Sequence, residues 1–429
     1  MGHLGSAKHI YKDLLTKVDA YPIGIIDDEK TEKLLKALYT PEEADLVSHM
    51  PLKISDAATL AQLIGREETA LDQQLSGMAV KGIVFKVTRN DKNYYAPMWS
   101  VPGFVEMTMM KVRDDIPQAE LAHLLSDMMK DKRFMEGIFQ EDTQFGRALI
   151  DAKVAQDTAD VLPYEVAADV VKEAKKLAVN LCYCRHKQEH LGHPCQFPTE
   201  VCLAMNSGAE FVIQQKFGRQ ISTGEALDII EKTSEMGLMH IGDNVKNNLT
   251  FICNCCQCCC GILRGYHDHG IFPVAMASRF AMAVNNDKCV GCGKCVSKCQ
   301  IAAITMEPVA GSKQRKAKID AEVCLGCGIC FRACRTGALT LRQREKKIFT
   351  PENGMEKLLT MAIERGKLQN LIFDDVHSPL HQLLRALAGR LFKNRGIKRY
   401  LLQDRVRNRL LNVVRRSIKN SEQAFLLDM

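Results

Sequence analysis

Four cysteines recur at intervals of three, three and four residues in the stretch Cys289-Val-Gly-Cys292-Gly-Lys-Cys295-Val-Ser-Lys-Cys299. The same spacing returns 35 residues later, in Cys324-Leu-Gly-Cys327-Gly-Ile-Cys330-Phe-Arg-Ala-Cys334. Apolar segments follow both copies, beginning at Ile301 and Gly337. The chain therefore contains a tandem repeat, and each copy supplies a loop of thiols, a short helical turn and a strand-like segment.

The spacing within each copy suits the ligands of an iron–sulfur cubane, whose four iron corners each need one soft anionic ligand. Two residues between cysteines let a tight loop turn three sulfurs toward three corners, while the fourth cysteine points away and ligates the other cluster. One cluster is thus predicted to bind Cys289, Cys292, Cys295 and Cys334. The other is predicted to bind Cys324, Cys327, Cys330 and Cys299. A pair of zinc ribbons would leave two thiols of each copy unexplained.

Residues 285–343 resemble bacterial-type ferredoxins that carry two [4Fe–4S] clusters. The sequence departs from that family at Gln300 and Arg335, where proline commonly follows the fourth cysteine. The resemblance implies one-electron transfer between two neighbouring clusters. Five basic residues surround the motifs, Lys288, Lys294, Lys298, Arg332 and Arg335. They either raise the reduction potential or form a docking face for an acidic partner, and both interpretations stay open.

Ten further cysteines precede the repeat and form a second cysteine field: Cys182, Cys184, Cys195, Cys202, Cys253, Cys255, Cys256, Cys258, Cys259 and Cys260. A capped helix from Gly224 to Met236 is predicted between its two halves. Ten thiols suffice for one or two additional [4Fe–4S] clusters. Zinc is the alternative, because His186, His190 and His193 lie among the first four cysteines. A third interpretation is that these cysteines are buried and bind no metal. His240 is predicted either to face the metal or to lie at the end of a helix.

The two cysteine-rich regions together, residues 160–341, look like a family of larger [4Fe–4S] proteins in anaerobic bacteria and archaea. The resemblance lies in Cys182-Tyr-Cys184-Arg-His186, Cys195-Gln-Phe-Pro198 and the run from Cys253 to Cys260. It implies a redox role in anaerobic metabolism and names no substrate.

Composition limits the class of protein. All 18 cysteines lie between Cys182 and Cys334, within 429 residues that are 46% apolar and 25% charged. This composition excludes wholesale disorder, and no run approaches the ~18 apolar residues of a spanning helix. Because Met1 to Leu15 lacks the pattern of an export signal, a cytoplasmic location is expected. Concentrated thiols in such a protein indicate metal binding rather than disulfides.

The N-terminal region, residues 1–115, contains no cysteine. Three helices are predicted, at Thr31–Met50, Ser55–Ile64 and Glu67–Val80, followed by a hairpin from Gly82 to Met98. This order resembles a winged-helix domain with its third helix in the recognition position. DNA is an unlikely partner, because that helix starts with acidic residues and residues 31–112 hold nine Lys or Arg against ten Asp or Glu.

The C-terminal region, residues 344–429, is predicted to be a basic amphipathic helical tail. Between Val376 and Lys419 there are twelve Lys or Arg and one acid, Asp404, although the whole chain carries only +7. Leucines recur at three- and four-residue steps, and Gly396 is predicted to divide them between two helices. The tail either packs on the protein's own core, docks an acidic redox partner or contacts an anionic membrane surface peripherally.

The sequence predicts an α+β, mainly helical protein of four parts: the winged-helix-like domain, a helical cysteine-rich metal-binding domain at 116–284, the ferredoxin-like module at 285–343 and the tail. Its predicted function is to relay single electrons between redox proteins, one of them an acidic or flavin-containing oxidoreductase. The chain lacks both a P-loop and a GxGxxG motif after a strand, so a flavin or nicotinamide would sit on the partner. The alternatives are a catalytic reductase with a substrate-accessible cluster in the second field, and a redox-sensing winged-helix regulator.

Overall fold

The computed structural model describes residues 3–271, 276–346, 348–374 and 378–419. The helices, in chain order, are α1 (His3–Asp19), α2 (Glu29–Leu38), α3 (Pro41–His49), α4 (Ala57–Ile64), α5 (Glu68–Lys81), α6 (Val105–Met107), α7 (Gln118–Met129), α8 (Lys132–Phe139), α9 (Ala152–Gln156), α10 (Ala167–Glu173), α11 (Tyr183–His190), α12 (Asn206–Gln214), α13 (Thr223–Met236), α14 (Gly261–His269), α15 (Lys294–Lys298), α16 (Gly354–Glu364), α17 (Leu368–Ile372), α18 (Pro379–Phe392), α19 (Arg395–Leu401) and α20 (Asp404–Lys419).

The strands are β1 (Ser55–Asp56), β2 (Val84–Arg89), β3 (Lys92–Pro97), β4 (Gly146–Ala148), β5 (Leu177–Leu181), β6 (Glu200–Met205), β7 (Gly218–Gln220), β8 (Met239–Asp243), β9 (Phe251–Cys255), β10 (Phe280–Val284), β11 (Ile304–Pro308), β12 (Arg315–Ile319) and β13 (Leu339–Gln343). The described chain is α+β, and none of its helices is long and apolar enough to span a bilayer.

The N-terminal region combines helices α1 to α5 with a three-stranded sheet in the order β1-β3-β2. The predicted helix Thr31–Met50 is wrong as a single element, because Tyr39 and Thr40 are extended and Thr40 caps a new helix beginning at Pro41. The side chain of Thr40 accepts from the N–H of Glu43, whose carboxylate accepts from the N–H of Thr40. The other two predicted helices have nearly the same bounds as α4 and α5, and the predicted hairpin corresponds to β2 and β3. The winged-helix assignment stays a prediction.

The middle of the chain contains a six-stranded antiparallel sheet in the order β4-β8-β9-β6-β5-β7. The expectation that residues 116–284 are helical is therefore incomplete, since in the described part of this region helices α7 to α14 alternate with strands β4 to β10. The helix expected from Gly224 to Met236 is present as α13, and the hydroxyl of Ser222 accepts from the N–H of Glu225 at its start.

The repeat forms a compact module of two antiparallel ribbons. Strand β10 pairs with β13 and β11 pairs with β12. Each cysteine loop leads into a short helical turn, α15 in the first half and a 3-10 turn at Ile329–Ala333 in the second. One continuous apolar core joins this module to the central sheet and to the N-terminal helices, so the cysteine loops are held against a packed body.

In the basic part of the tail, the described residues from Pro379 to Lys419 form three helices, α18 to α20, and not the two that were predicted. The chain breaks at Lys393-Asn394, where the side chain of Asn394 caps α19, while Gly396 lies within that helix. On α20, Leu411 is buried, and the guanidinium of Arg407 contacts Glu356 at 3.2 Å. On α18 the leucines face outward, and Leu383 and Leu391 are each 58% exposed. The predicted tail also includes residues 347, 375–377 and 420–429, which lie outside the described residues.

Candidate metal centres

One group of thiols in the module consists of Cys324, Cys327, Cys330 and Cys299. Burial raises the pKa of Cys330, and the neighbouring thiols of Cys327, Cys324 and Cys299 raise it further. Burial likewise raises the pKa of Cys327, with added contributions from Cys324 and Cys299. Thus Cys299, which belongs to the first motif in sequence, lies beside the three leading cysteines of the second.

The other group contains the three leading cysteines of the first motif. Burial raises the pKa of Cys295, and the nearby thiols of Cys289 and Cys292 add to that rise. The predicted fourth member, Cys334, accepts a hydrogen bond from the N–H of Ala338 at 3.4 Å. At the equivalent place in the other half, the N–H of Ala303 donates to Cys299 Sγ at 3.2 Å. The two halves therefore present their fourth thiols in the same way.

Backbone groups approach these sulfurs closely, as binding of a cluster requires. The N–H groups of Met282 and Gly326 donate to Cys324 Sγ at 3.5 and 3.4 Å. Gly326 has φ +69°, and a Cβ there would lie 2.0 Å from the carbonyl oxygen of Phe280, so only glycine fits. Thiol sets with N–H donors directed at sulfur fit two [4Fe–4S] clusters, which when bound supply one-electron chemistry.

The basic residues around the motifs have different surroundings. The guanidinium of Arg332 donates to both carboxylate oxygens of Glu231 and to Asp151, each at 2.7 Å. The ammonium of Lys298 donates to the carbonyl oxygens of Glu235 and Met236, at the end of α13. Lys288, Lys294 and Arg335 are exposed instead. Only these last three are placed where a partner could contact them.

Comparison with known protein families adds one finding. Residues 288–338 match the 4Fe-4S dicluster domain. The module is accordingly an iron–sulfur, ferredoxin-like unit, and the match covers the two cysteine motifs. No curated protein and no solved structure matches the chain.

The second cysteine field separates into two groups. The first, here called the six-thiol group, comprises Cys182, Cys184, Cys202, Cys253, Cys255 and Cys260. The second, here called the four-thiol group, comprises Cys195, Cys256, Cys258 and Cys259. All 18 cysteines lie within the described residues, and none is in a disulfide.

The six-thiol group is assembled by the central sheet and by two helix starts. Strand β6 pairs with β9 with Leu203 opposite Ile252, so the next pair in that register is Cys202 and Cys253, whose thiols hydrogen-bond. Because side chains alternate along a strand, Cys255 lies on the same face as Cys253. Cys255 Sγ then accepts from Cys260 Sγ at 3.2 Å. Hydrogen bonds from Cys182 and Cys260 hold the pKa of Cys184 well below its usual range.

A cavity of about 650 Å³ adjoins the six-thiol group, and all six cysteines line it. Aromatic and methionine side chains, among them Phe85, Phe211 and Met98, form much of its wall. The carboxyl of Glu106 also lines the cavity, and burial raises the pKa of this group to about 8. The remaining lining includes side chains of α20, such as Leu410 and Val414. This is a space of the size in which proteins bind small molecules.

The four-thiol group lies on the other side of the turn that follows β9. Its sulfurs are close together: Cys195 is 3.9 Å from Cys256 and 3.6 Å from Cys258, and Cys258 is 3.4 Å from Cys256 and 3.5 Å from Cys259. A hydrogen bond from Cys259, together with the charge of Arg185, lowers the pKa of Cys256. Residues 253–260 are thus divided between two groups within one turn of chain.

Sequence reasoning missed Arg185. Its side chain is fully buried and donates to the carbonyl oxygens of Pro198 and Asn254, at 2.6 and 2.7 Å. It also interacts with Cys182 of the six-thiol group and with Cys256 of the four-thiol group. The guanidinium therefore places positive charge between the two groups, where bound metal–thiolate centres would be anionic. The adjacent Cys182 and Cys184 were the only sequence signal for this role.

The histidines named as zinc ligands do not join either thiol group. His186 shares a hydrogen bond with the carbonyl oxygen of Met109, and its ring lies 4.9 Å from that of His190. His193 is exposed. His240 lies in β8 and not at a helix end, and its two nitrogens contact Ser234 and Asn254. Both interpretations of His240 were wrong, because the residue belongs to a buried polar network.

Gln300 joins the two cysteine fields directly. Its side-chain oxygen accepts from the N–H of Gln257 at 2.8 Å, and its amide nitrogen donates to the carbonyl oxygen of Gly237 at 2.8 Å. Gln257 lies between Cys256 and Cys258, while Gln300 follows Cys299. The departure from proline at this position thus creates a contact between the module and the second field.

Proposed function

We propose that this protein is an iron–sulfur electron carrier that passes single electrons between two redox partners through two [4Fe–4S] clusters, held by the eight cysteines of the module. The observation that carries the proposal is the gathering of Cys299 with Cys324, Cys327 and Cys330, under backbone N–H groups directed at sulfur. Such donors stabilise the added negative charge of a reduced centre without moving the chain.

Burial distinguishes the two motifs by how closely a redox partner can approach them. Cys292 is exposed and the neighbouring Val290 is 70% exposed, whereas Cys324 and Cys330 are buried. A partner therefore exchanges electrons at the first motif, near the exposed ammonium groups of Lys288 and Lys294. These charges favour a partner with an acidic face, because opposite fields accelerate and orient encounter. From the second motif the path continues inward through Cys299, Gln300 and Gln257.

The cavity beside the six-thiol group favours a second candidate function, a reductase. A redox centre bound by these thiols would meet a small molecule in the cavity and receive electrons from the module. Apolar walls with few polar groups favour an apolar substrate. The thiols would hold the redox centre, and the cavity wall would bind and orient the small molecule while excluding water.

Metal analysis and spectroscopy of the anaerobically purified chain test the proposed carrier. We expect at least about eight iron atoms and eight acid-labile sulfides per chain, and an EPR signal of coupled reduced clusters. We also expect reversible one-electron reduction. Zinc in the module without labile sulfide would contradict the proposal.

The second candidate is tested by adding small apolar electron acceptors to the reduced protein. Turnover that is lost in Cys253→Ser but kept in Cys195→Ser would favour the reductase. Equal loss in both variants would argue for general damage to the second field.

A further inference from the structure

The four-thiol group has the dimensions of a site for one metal ion. A divalent ion bound tetrahedrally by thiolates at about 2.3 Å holds its sulfurs about 3.8 Å apart. The four sulfur–sulfur distances measured here run from 3.4 to 3.9 Å, and all four sulfurs lie within 4.8 Å of one another. The measured separations are therefore close to those that one ion bound by all four thiolates requires.

The other thiols of the protein are arranged differently. Among the described residues, no other three cysteine, histidine or carboxylate groups lie this close together. The eight thiols of the module are therefore more widely spaced, as ligands on the separate corners of a cluster must be. The six-thiol group is also too open for one ion. Two kinds of thiol site are present in one chain, and the four-thiol group belongs to the compact kind.

The surroundings of the four-thiol group suit a closed, structural site. Four thiolates around a divalent ion leave a net charge of −2, and the buried guanidinium of Arg185 next to Cys256 offsets part of it. Cys195 is 61 residues from Cys256 in sequence, so a shared ion would close a long loop between α11 and β9. Four protein ligands leave no open position for a substrate, which is typical of structural zinc sites.

We propose that Cys195, Cys256, Cys258 and Cys259 bind a single divalent ion, Zn²⁺ or Fe²⁺, in a mononuclear tetrahedral site separate from every iron–sulfur cluster of the protein. The ion fastens the loop after α11 to the turn after β9. It thereby holds Gln257 against Gln300 of the module. The site does not depend on the module for its ligands, which are all thiols of the four-thiol group.

Metal analysis of two variants of the full chain tests the site. Cys258→Ser removes the exposed ligand, and Cys202→Ser is the matched control, because Cys202 belongs to the six-thiol group. We expect the wild-type protein to hold one zinc, or one iron in excess of sulfide. Cys258→Ser should lose that one equivalent while keeping its acid-labile sulfide and the EPR signal of the module. Cys202→Ser should retain the ion. Elemental analysis identifies bound zinc, and visible absorption identifies rubredoxin-type iron. Either ion supports the site.

Cobalt substitution gives a readout that does not depend on the native metal. Co²⁺ added to the metal-depleted site should give the d–d bands of a tetrahedral tetrathiolate in the wild type. If Cys258→Ser does not fold, Cys195→His keeps four ligands and should bind Co²⁺ with shifted bands. Loss of about four irons and four sulfides in Cys258→Ser would overturn the proposal, since that loss means a cubane. A wild-type protein with no metal beyond its clusters would also overturn it.

Discussion

Gln300 shows how a single residue alters the role of a ferredoxin-like motif. It replaces the proline common in bacterial-type ferredoxins, and its side chain makes two hydrogen bonds outside the module, one with Gln257 of the second cysteine field and one with Gly237 at the end of α13. Arg335 takes the equivalent place in the second motif and is exposed. Cys299 and Cys334, which precede them, both have extended backbones, so both sites accept a following proline. The two positions form a natural matched pair.

We predict that Gln300→Pro lowers the free energy of unfolding by about 2 kcal/mol, because two hydrogen bonds at about 1 kcal/mol each are lost. Arg335→Pro should change it by less than about 0.5 kcal/mol, as exposed substitutions usually do. Denaturant unfolding under anaerobic conditions measures both. Equal effects of the two substitutions would mean that the side chain of Gln300 contributes nothing measurable.

The crossing of the fourth cysteines gives a second prediction at this scale. Because Cys299 lies with Cys324, Cys327 and Cys330, Cys299→Ser should weaken the EPR signal of the more buried cluster. Cys292→Ser should weaken the signal of the other cluster and serves as the comparison. Power saturation and redox titration of the reduced protein separate the two signals. If both substitutions affected one and the same cluster, the crossed assignment would be wrong.

The sequence identified the candidate metal ligands better than it predicted which of them lie together. Regular spacing identifies the eight cysteines of the module, since a short loop dictates which sulfurs converge. Residues 253–260 have no such regularity. Their division depends on where β9 ends, because alternation along the strand stops at Cys255 and the turn then sends Cys256, Cys258 and Cys259 to the other side. That boundary is set by tertiary pairing with β6 and β8.

At the scale of elements, the loops that precede α15 and the 3-10 turn depend on glycines with left-handed backbones. Gly293 and Gly326 have nearly equal φ values, +70° and +69°. A Cβ at Gly293 would meet nothing within 4 Å, whereas one at Gly326 would lie 2.0 Å from the carbonyl oxygen of Phe280 in β10. Gly293 is therefore favoured by its backbone conformation alone, whereas Gly326 is favoured both by its conformation and by its close contact with β10.

Gly293→Ala should lower stability by about 1 kcal/mol, the usual cost of a side chain in this conformation. Gly326→Ala should cost at least about 2 kcal/mol more, because β10 must move away. Thermal unfolding and iron content of the two anaerobic variants measure the difference. A similar loss of stability in both variants would show that β10 moves away from the loop at no measurable cost in free energy.

The central sheet is the element that sequence patterns missed. Strands β5 and β8 have five residues each, and nearly every residue of both is buried. Strands covered on both faces lack the alternation of apolar and polar residues that identifies a half-buried strand. The hairpin of β2 and β3 was correctly placed, because a polar turn with turn-forming residues separates its two strands.

At the scale of the whole molecule, the tail concentrates positive charge on one part of a chain that is otherwise slightly acidic. Its helix α20 packs on the body through Leu411 and Arg407 and lines the cavity with Leu410 and Val414. Removing the tail would therefore disturb the core as well as the charge. Neutralising its exposed basic residues separates the two effects.

We predict that neutralisation slows the reduction of an acidic flavodoxin by this protein. The substitutions are Arg390→Gln, Arg399→Gln and Arg409→Gln, all at exposed positions. At low ionic strength the bimolecular rate constant should fall about tenfold, because electrostatic steering is lost, and the deficit should shrink as salt rises. Stopped-flow absorbance follows the reaction, and unchanged iron content shows that the module is intact.

A control with the same loss of charge identifies the surface responsible. It uses exposed lysines outside the tail, in Lys132→Gln, Lys172→Gln and Lys232→Gln. This variant should keep most of the wild-type rate and salt dependence, since steering depends on where charge lies and not only on its sum. If the control slowed the reaction as much as the tail variant, net charge alone would explain the effect. If neither variant changed the rate, docking would lie elsewhere, and sedimentation with vesicles rich in anionic lipid would then decide whether the tail binds membranes.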